Sequence, residues 1–201
     1  MKNGLENGYY HEITPSGFGI AIKAGKLLYS KQSEFQKVEV FETESALGRV
    51  LTLDDLMMTT EGDEFHYHEM ISHVPMMHHP NPKTVLVIGG GDGGTIREVL
   101  KHDTVEKAVL CEIDGLVIEA CKEHLPTIAC ELDNPKVNVL VQDAIDFIEQ
   151  KENVYDVVLI DYNGNLVEGN KKASSEKIMH SEIYTKRDDI NAIIHCHCPV
   201  I

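Results

Sequence analysis

The stretch VLVIGGGDGGTIREVL, residues 85–100, constrains the fold more than any other part of this 201-residue sequence. A run of apolar residues is followed by a glycine-rich loop and then by a segment that favours a helix. Gly89, Gly91 and Gly94 satisfy the spacing G-x-G-x-x-G, in which glycines permit a tight turn and close approach of the backbone to a nucleotide. The pattern is weak alone, but here it follows a predicted strand and opens a predicted helix.

The residues around this loop repeat the same alternation of short apolar runs and helical stretches. The predicted strands are TVLVIGGG, KAVLCEID, KVNVLVQDA, DVVLIDY and, near the end, DINAIIHCHCPVI. The predicted helices between the first four are GTIREVLKH, GLVIEACKEHL and AIDFIEQ. Such alternation predicts βαβ units in a parallel sheet that is covered on both faces. We expect the strand order 3-2-1-4-5.

The first 60 residues have a different pattern, typical of a small antiparallel sheet. The predicted strands are GFGIAIKA, KLLYSKQ, FQKVEVFET and RVLTLDDLMMTT. A helix is predicted within TEGDEFHYHEMISHVPMMHH, with Thr60 and Asp63 as a weak capping pair. The predicted fold class is therefore α/β, with an N-terminal antiparallel β-domain followed by a Rossmann-like, methyltransferase-type parallel sheet of about five strands. The predicted units are residues 1–60, 61–162 and 163–201.

Acidic residues near the glycine loop indicate which nucleotide it binds. Glu112 and Asp114 lie about 20 residues after the loop, where an acid can accept both ribose hydroxyls. Asp92 lies inside the loop, and its carboxylate would repel the diphosphate of NAD at close range. It would attract a cation, such as the sulfonium and ammonium of S-adenosylmethionine and its relatives. The residues thus favour the adenosylmethionine class over NAD.

Composition excludes several classes of partner. The formal net charge is −15, which disfavours binding to nucleic acid or to an anionic membrane. The sequence contains no run of 18 apolar residues and its N-terminus lacks an apolar signal core. Five cysteines at irregular spacing are typical of reduced thiols. We therefore expect a cytoplasmic protein.

Several segments together resemble spermidine synthase, an aminopropyltransferase of polyamine biosynthesis. They are SKQSEFQK, TTEGDEFHYHEMISHVPMMHHPNPK, VIGGGDGGTIREVLKH, CEIDGLVIEACKEHLP and DVVLID, and the resemblance covers about residues 8–161. It implies decarboxylated S-adenosylmethionine as co-substrate, no required cofactor, and a site formed by Gln36, His68, Gly89, Gly91, Asp92, Gly94, Glu112, Asp143 and Ala144. In that site Glu112 would hold the ribose, Asp143 and Ala144 the adenine, and Asp92 the aminopropyl ammonium.

The resemblance also implies the reaction. A nitrogen of putrescine, or of a similar diamine, attacks the carbon bonded to the sulfonium, and methylthioadenosine leaves. The attacking amine must be neutral although its free pKa is near 10, and a carboxylate can take or steer the proton. Asp161 matches the proposed base of the family, and Tyr67 with His68 matches a site near the reacting amine. A homo-oligomer formed through the N-terminal β-domain is expected.

The sequence departs from the spermidine synthase pattern after Asp161. The family continues with Asp-Ser-(Ser or Thr)-Asp-Pro, whereas this chain has Gly164 at the second acidic position. Residues 159–201 instead resemble class II aldolases of the fuculose-phosphate type. That resemblance implies Glu176 as a catalytic acid/base and His195 and His197 as zinc ligands. Two histidines on one face of a strand are too few for a closed zinc site, so no metal site is predicted.

These two resemblances leave three functional hypotheses. The first is spermidine synthesis, impaired because the diamine site is incomplete. The second is a chimera that binds an adenosyl nucleoside without catalysis. The third is a metal-dependent sugar-phosphate aldolase, which would need zinc. A join between two genes near Asp161 is favoured over a natural homologue with an unusual tail.

Overall fold

A computed structural model provides the structure of the chain, and it describes residues 3–149, 155, 157–161 and 193–196. The described residues form two sheets. The strands of the first are β1 (Gly4–Glu6), β2 (Tyr9–Ile13), β3 (Gly19–Gln32), β4 (Lys37–Thr43), β5 (Arg49–Leu53) and β6 (Leu56–Thr60). Those of the second are β7 (Thr84–Ile88), β8 (Lys107–Glu112), β9 (Val137–Val141), β10 (Val157–Asp161) and β11 (Ile193–Cys196).

The first sheet is an antiparallel meander in the order β1-β2-β3-β4-β5-β6. Three of its details differ from the prediction, and the first is that β1 and β2 were not predicted. GFGIAIKA and KLLYSKQ belong to one 14-residue strand, β3, which passes Gly25 through an irregular register with β4. RVLTLDDLMMTT is a hairpin rather than one strand, because Asp54 and Asp55 turn the chain with φ of 49° and 65°.

The second sheet is parallel and has the order β11-β10-β7-β8-β9. When these five strands are numbered in chain order, the order across the sheet is 3-2-1-4-5. The predicted strand order and the fifth strand are therefore confirmed. Each of the strands β7, β8 and β9 is followed along the chain by one helix. These helices are α2 (Gly94–Leu100), α3 (Gly115–His124) and α4 (Ala144–Glu149). The turn Ala129–Glu131 is a short 3-10 helix. The carboxyl ends of the strands meet at one edge, where ligands of such sheets bind.

Helix α1 (Glu64–His78) joins the two sheets. Asp63, not Thr60, is its N-cap residue, and the Thr60 hydroxyl donates to Asp63 Oδ1 over 2.5 Å. The predicted capping pair was therefore wrong in its roles, because the hairpin β5–β6 extends through Thr60 and delays the helix by one turn. Among the described residues, no helix is long and apolar enough to cross a membrane.

Side chains of β7 alternate between two cores, as neighbouring residues of a strand point to opposite faces. Val85 and Val87 join the larger core, which also includes residues of the antiparallel sheet such as Val38 and Leu51. Leu86 and Ile88 pack on the other face with Val109, Cys111, Phe147, Ile148 and Tyr155. Burial on both faces explains the nearly continuous apolar character of this strand.

Candidate active site

The glycine loop joins β7 to α2, and its glycines are required for two different reasons. Gly89, Gly90 and Gly93 have φ of 74°, 74° and 88°, a region that disfavours other residues. Gly91 instead provides space, since a Cβ there would lie 3.0 Å from Glu112 Cγ. Gly94 also provides space, since a Cβ there would lie 2.3 Å from Cε1 of His68.

Glu112 ends β8 beside this loop, and the backbone fixes its buried carboxylate. Oε2 accepts a hydrogen bond from the Gly91 amide over 3.1 Å, and Oε1 accepts one from the Asp114 amide over 2.9 Å. Each carboxylate oxygen has two lone pairs and can accept a second hydrogen bond. The predicted ribose acceptor is thus held by two backbone amides at the carboxyl edge of the sheet.

Asp114 links the two sheets at this edge, a role that sequence patterns did not reveal. Its Oδ1 caps α3 by accepting from the Leu116 amide over 3.0 Å. Its Oδ2 accepts from Ser33 Oγ over 2.8 Å and from Gln36 Nε2 over 3.1 Å. The predicted site residue Gln36 therefore lies beside the β8–α3 turn. The available signal was the Asp-Gly pair immediately before an amphipathic helix, which is typical of an N-cap.

Asp92 is not an isolated acid, because the imidazole of His68 lies against it. Asp92 Oδ1 accepts from the Gly94 amide over 2.7 Å and lies 3.3 Å from His68 Nε2. The other ring nitrogen, Nδ1, contacts the carboxylate of Glu64 one helical turn earlier on α1. Both carboxylates and the ring are buried to at least nine-tenths of their side-chain surface.

Electrostatic interactions between neighbouring side chains determine the protonation of His68, Asp92 and Glu64. Burial opposes a charge on His68, but Asp92 and then Glu64 outweigh it and raise the pKa of His68 to about 10. Burial likewise opposes charge on Asp92 and Glu64, yet the His68 imidazolium and Arg97 keep the pKa of each carboxyl below its usual value. The site therefore holds an imidazolium between two carboxylates at neutral pH.

Arg97 completes the cluster from α2 and was missed by the sequence patterns. Its Nη2 donates to Glu64 Oε2 over 2.8 Å, and its Nε donates to the buried Glu98 over 2.9 Å. Glu64 was also missed. Its spacing of four residues from His68 was a usable signal for a helical pair, whereas the contact with Arg97 depends on how α1 and α2 pack.

The other predicted residues follow from the strand register. Asp143 lies after β9 and caps α4, accepting from the Ile145 amide over 2.7 Å, and Ala144 begins that helix. Asp161 ends β10 one residue beyond Ile160, which pairs with Ile88 just before the glycine loop. Both acids thus share the edge with Glu112. Tyr67 is half-buried on α1, with its ring edge-on to His68 at 5.3 Å.

The residues that the aldolase resemblance implies are described only in part. The backbone of His195 lies in β11 opposite Ile160, while Glu176 and His197 lie outside the described residues. Within residues 3–149 and the other described positions, no group of three His, Cys, Asp or Glu residues could hold a metal ion.

In comparisons with known proteins, two family models match different segments of the chain. A family model described as "Spermine/spermidine synthase domain" matches residues 64–190, and one described as "Spermidine synthase tetramerisation domain" matches residues 8–61. The first continues past Asp161, where the join between two genes was predicted. The comparisons therefore give no support to an aldolase fragment or to a chimera.

Curated relatives and solved structures agree with these matches. Polyamine aminopropyltransferases of Thermotoga petrophila and Bacillus subtilis are 50% and 53% identical over 153 residues, 76% of this chain and 51% and 55% of the relatives. The crystal structure of spermidine synthase from Thermotoga maritima has 47% identity and a TM-score of 0.74, over 79% of this chain and 55% of that one. A spermidine synthase in complex with the transition-state analogue AdoDATO has 48% identity, the same TM-score and the same coverage. The chain spans about half the length of the curated relatives it matches.

Proposed function

We propose that this chain, which belongs to the spermine/spermidine synthase family, binds decarboxylated S-adenosylmethionine as a co-substrate for aminopropyl transfer to a diamine such as putrescine. The observation that carries the proposal is the placement of Glu112. Its buried carboxylate is fixed by the backbone of the glycine loop at the carboxyl edge of the parallel sheet. A fixed acceptor at that position suits the two hydroxyls of a ribose.

The other site residues receive roles from their positions along the same edge. Asp143 and the Ala144 backbone would recognise adenine, since both lie where β9 meets α4. Asp92 would bind the aminopropyl ammonium, because it is an acid in the loop between β7 and α2. Gln36 would close the nucleoside pocket from the antiparallel sheet, where Asp114 holds its amide.

The reaction needs a neutral amine in line with the carbon attached to sulfur. The amine nitrogen forms a bond to that carbon, the carbon–sulfur bond breaks, and its electron pair stays on sulfur as methylthioadenosine leaves. The nitrogen gains positive charge and loses a proton to a nearby base. Asp161 at the end of β10 is the candidate base, and Tyr67 on α1 would contact the diamine. A positioned general base typically contributes about 10²–10⁴ in rate.

We further propose that transfer is impaired in this chain. The support is Gly164, which stands where the resemblance expects a second aspartate for the diamine. Misplacement of an attacking atom by about 1 Å can reduce a rate on the order of a hundredfold. Together with a weakened base step, we expect turnover at least about a thousandfold below an intact relative. A rate within tenfold of the Bacillus subtilis enzyme would contradict the impairment alone.

The proposed division into residues 1–60, 61–162 and 163–201 gives the first unit an assembly role. Four apolar side chains of the N-terminal unit are exposed, Tyr9 by 43%, Phe18 by 61%, Leu27 by 46% and Phe35 by 44%. A homo-oligomer through this sheet would cover them, and the description of the family match to residues 8–61 supports that role. Sedimentation equilibrium of the chain and of Phe18→Ser tests it, and a monomeric parent chain would contradict it.

Isothermal titration calorimetry with methylthioadenosine tests the nucleoside site. Glu112→Gln keeps the side-chain size and removes the charge. We expect it to weaken binding about tenfold to a hundredfold, the effect of losing a charged hydrogen bond. Glu123→Gln is the matched control, because Glu123 lies on the adjacent helix with 65% of its side chain exposed. Equal affinity for the parent chain and Glu112→Gln would refute the ribose assignment.

A further inference from the structure

His68 is enclosed so that each of its ring nitrogens faces a carboxylate. Nδ1 contacts Glu64, and Nε2 lies 3.3 Å from Asp92 Oδ1. A neutral imidazole carries one N–H and can donate to only one of these partners, whereas an imidazolium can donate to both. The side chain is 1% exposed, so water does not provide an alternative partner. Nε2 makes no hydrogen bond within the described residues, but a carboxylate on each side of the ring favours its protonated form.

This arrangement creates a conflict with the proposed role of Asp92. In the protein without ligand, the carboxylate already has a cation beside it. The ammonium of the aminopropyl group would bring a second cation to the same carboxylate. Two positive charges at contact distance in a buried site disfavour each other's charged form. One of the two must lose its proton or stay away.

We propose that arrival of the ligand ammonium at Asp92 expels the Nε2 proton of His68 to solvent, while Glu64 keeps the remaining proton on Nδ1. This inference rests on the proposed function. The N–H bond at Nε2 breaks, and its electron pair stays on the ring as a lone pair. The ammonium then donates to Asp92 and to neutral Nε2. Glu64 acts as a positioning residue, because it fixes the tautomer that presents an acceptor to the substrate.

The neighbouring groups leave His68 as the group that can exchange this proton. Burial raises the pKa of the Glu64 carboxyl, but His68 and then Arg97, whose Nη2 lies 2.8 Å away, lower it below its usual value. Arg97 forms an ion pair with Glu98 and does not act as a competing proton donor. Cys121 lies within electrostatic range of Asp92 from α3, but burial, and then Asp92 and Glu112, keep the pKa of its thiol well above the usual value. The ring of Tyr67 lies edge-on to His68, with the ring centroids 5.3 Å apart.

Proton release during binding tests the proposal directly. Calorimetry at pH 7 in phosphate, HEPES and Tris gives the number of protons released from the dependence of the binding heat on buffer ionisation. The two ligands are methylthioadenosine, which has no amine, and 5′-S-(3-aminopropyl)-5′-thioadenosine, which adds the ammonium without a sulfonium. We expect about one proton released with the second ligand and about none with the first. Equal release with both ligands would overturn the proposal.

Three variants identify the source of the proton. His68→Gln should bind both ligands without ligand-dependent release, and persistent release would place the proton on the ligand amine instead. Glu64→Gln removes one of the two charges that hold the imidazolium, and should reduce release while methylthioadenosine still binds. Glu69→Gln, an exposed acid on the same helix, should release as the parent chain does. Unchanged release in Glu64→Gln would refute the positioning role.

Nitrogen-15 NMR of the histidine rings gives a test that needs no variant to fold. The His68 resonances should be those of an imidazolium in the free protein and with methylthioadenosine. They should become those of a neutral ring protonated at Nδ1 with the aminopropyl ligand. A ring that stays protonated on both nitrogens would overturn the inference. If neither ligand binds, the proposed function itself falls, and that outcome differs from binding without proton release.

Discussion

Replacement of Gly94 by alanine tests whether the loop glycine exists to admit His68. A Cβ at this position would lie 2.3 Å from Cε1 and 2.4 Å from Nδ1 of the imidazole. Gly94 begins α2, so its backbone is helical and accepts alanine without strain. The ring is buried and cannot move aside without leaving its two carboxylates. The steric contact with His68 is therefore the effect that the substitution isolates.

The expected loss of stability follows from the charges that the displaced ring leaves behind. Removing one partner of a buried ion pair costs about 3–5 kcal/mol, because the remaining charge is uncompensated. Alanine in place of glycine in a helix returns at most about 1 kcal/mol. We therefore expect Gly94→Ala to lower the free energy of unfolding by about 2–4 kcal/mol.

Urea unfolding at pH 7 measures this free energy, and Gly115→Ala is the matched control. Gly115 also begins a helix, α3, but a Cβ there would meet Val141 at an ordinary distance of 3.4 Å. We expect that control to be neutral or slightly stabilised, with an unchanged denaturant slope in both variants. If Gly94→Ala and Gly115→Ala agree within about 0.5 kcal/mol, the close packing of His68 against the loop is refuted.

Three further outcomes follow from the same contacts. Folding raises the pKa of His68 from 6.5 to about 10. The contribution of the protonated ring to the free energy of unfolding is therefore complete below pH 6.5 and disappears toward pH 10. The difference in unfolding free energy between the parent chain and His68→Gln should narrow over that range, and a constant difference would contradict it. Tyr10 donates to the buried Glu12 over 2.6 Å, so Tyr10→Phe should cost about 1.5–3 kcal/mol in urea unfolding, whereas a loss no greater than that of Tyr9→Phe, at an exposed tyrosine, would refute it. The Cβ added by Gly91→Ala would contact the side chain of Glu112 too closely. Calorimetry should therefore show that methylthioadenosine binds this variant at least about tenfold more weakly.

The parallel sheet could be predicted from the sequence because burial on both faces leaves a local trace. Short apolar runs bounded by glycine or acid gave all five strands, and right-handed crossovers limited their order. The strand within DINAIIHCHCPVI is observed as Ile193–Cys196 beside β10. The antiparallel sheet was less accessible. Gly25 suggested a break, but pairing with β4 carries β3 through that position, so tertiary contacts override the local signal.

The candidate site was predictable where a role depends on one residue and its strand. Glu112 could be placed because an acid at the end of the second strand of a βαβ unit has one edge to occupy. The cluster around His68 could not be derived, because it joins α1, the glycine loop and α2. The G-x-G-x-x-G pattern located Gly91 and Gly94 without revealing that each clears space for a specific side chain.

In the folded chain, the charge of Asp92 does not by itself exclude a dinucleotide from the glycine loop. Asp92 and Glu64 are balanced by His68 and Arg97, so these four side chains together carry no net charge and repel a diphosphate weakly. A diphosphate would, however, need amide donors from the loop. The amides of Gly91 and Gly94 already donate to Glu112 and Asp92, and those of Gly89 and Gly93 donate to backbone carbonyls. Four amides of the loop are therefore already used in internal hydrogen bonds, two of them to the carboxylates of Glu112 and Asp92, and these four are not available to a phosphate.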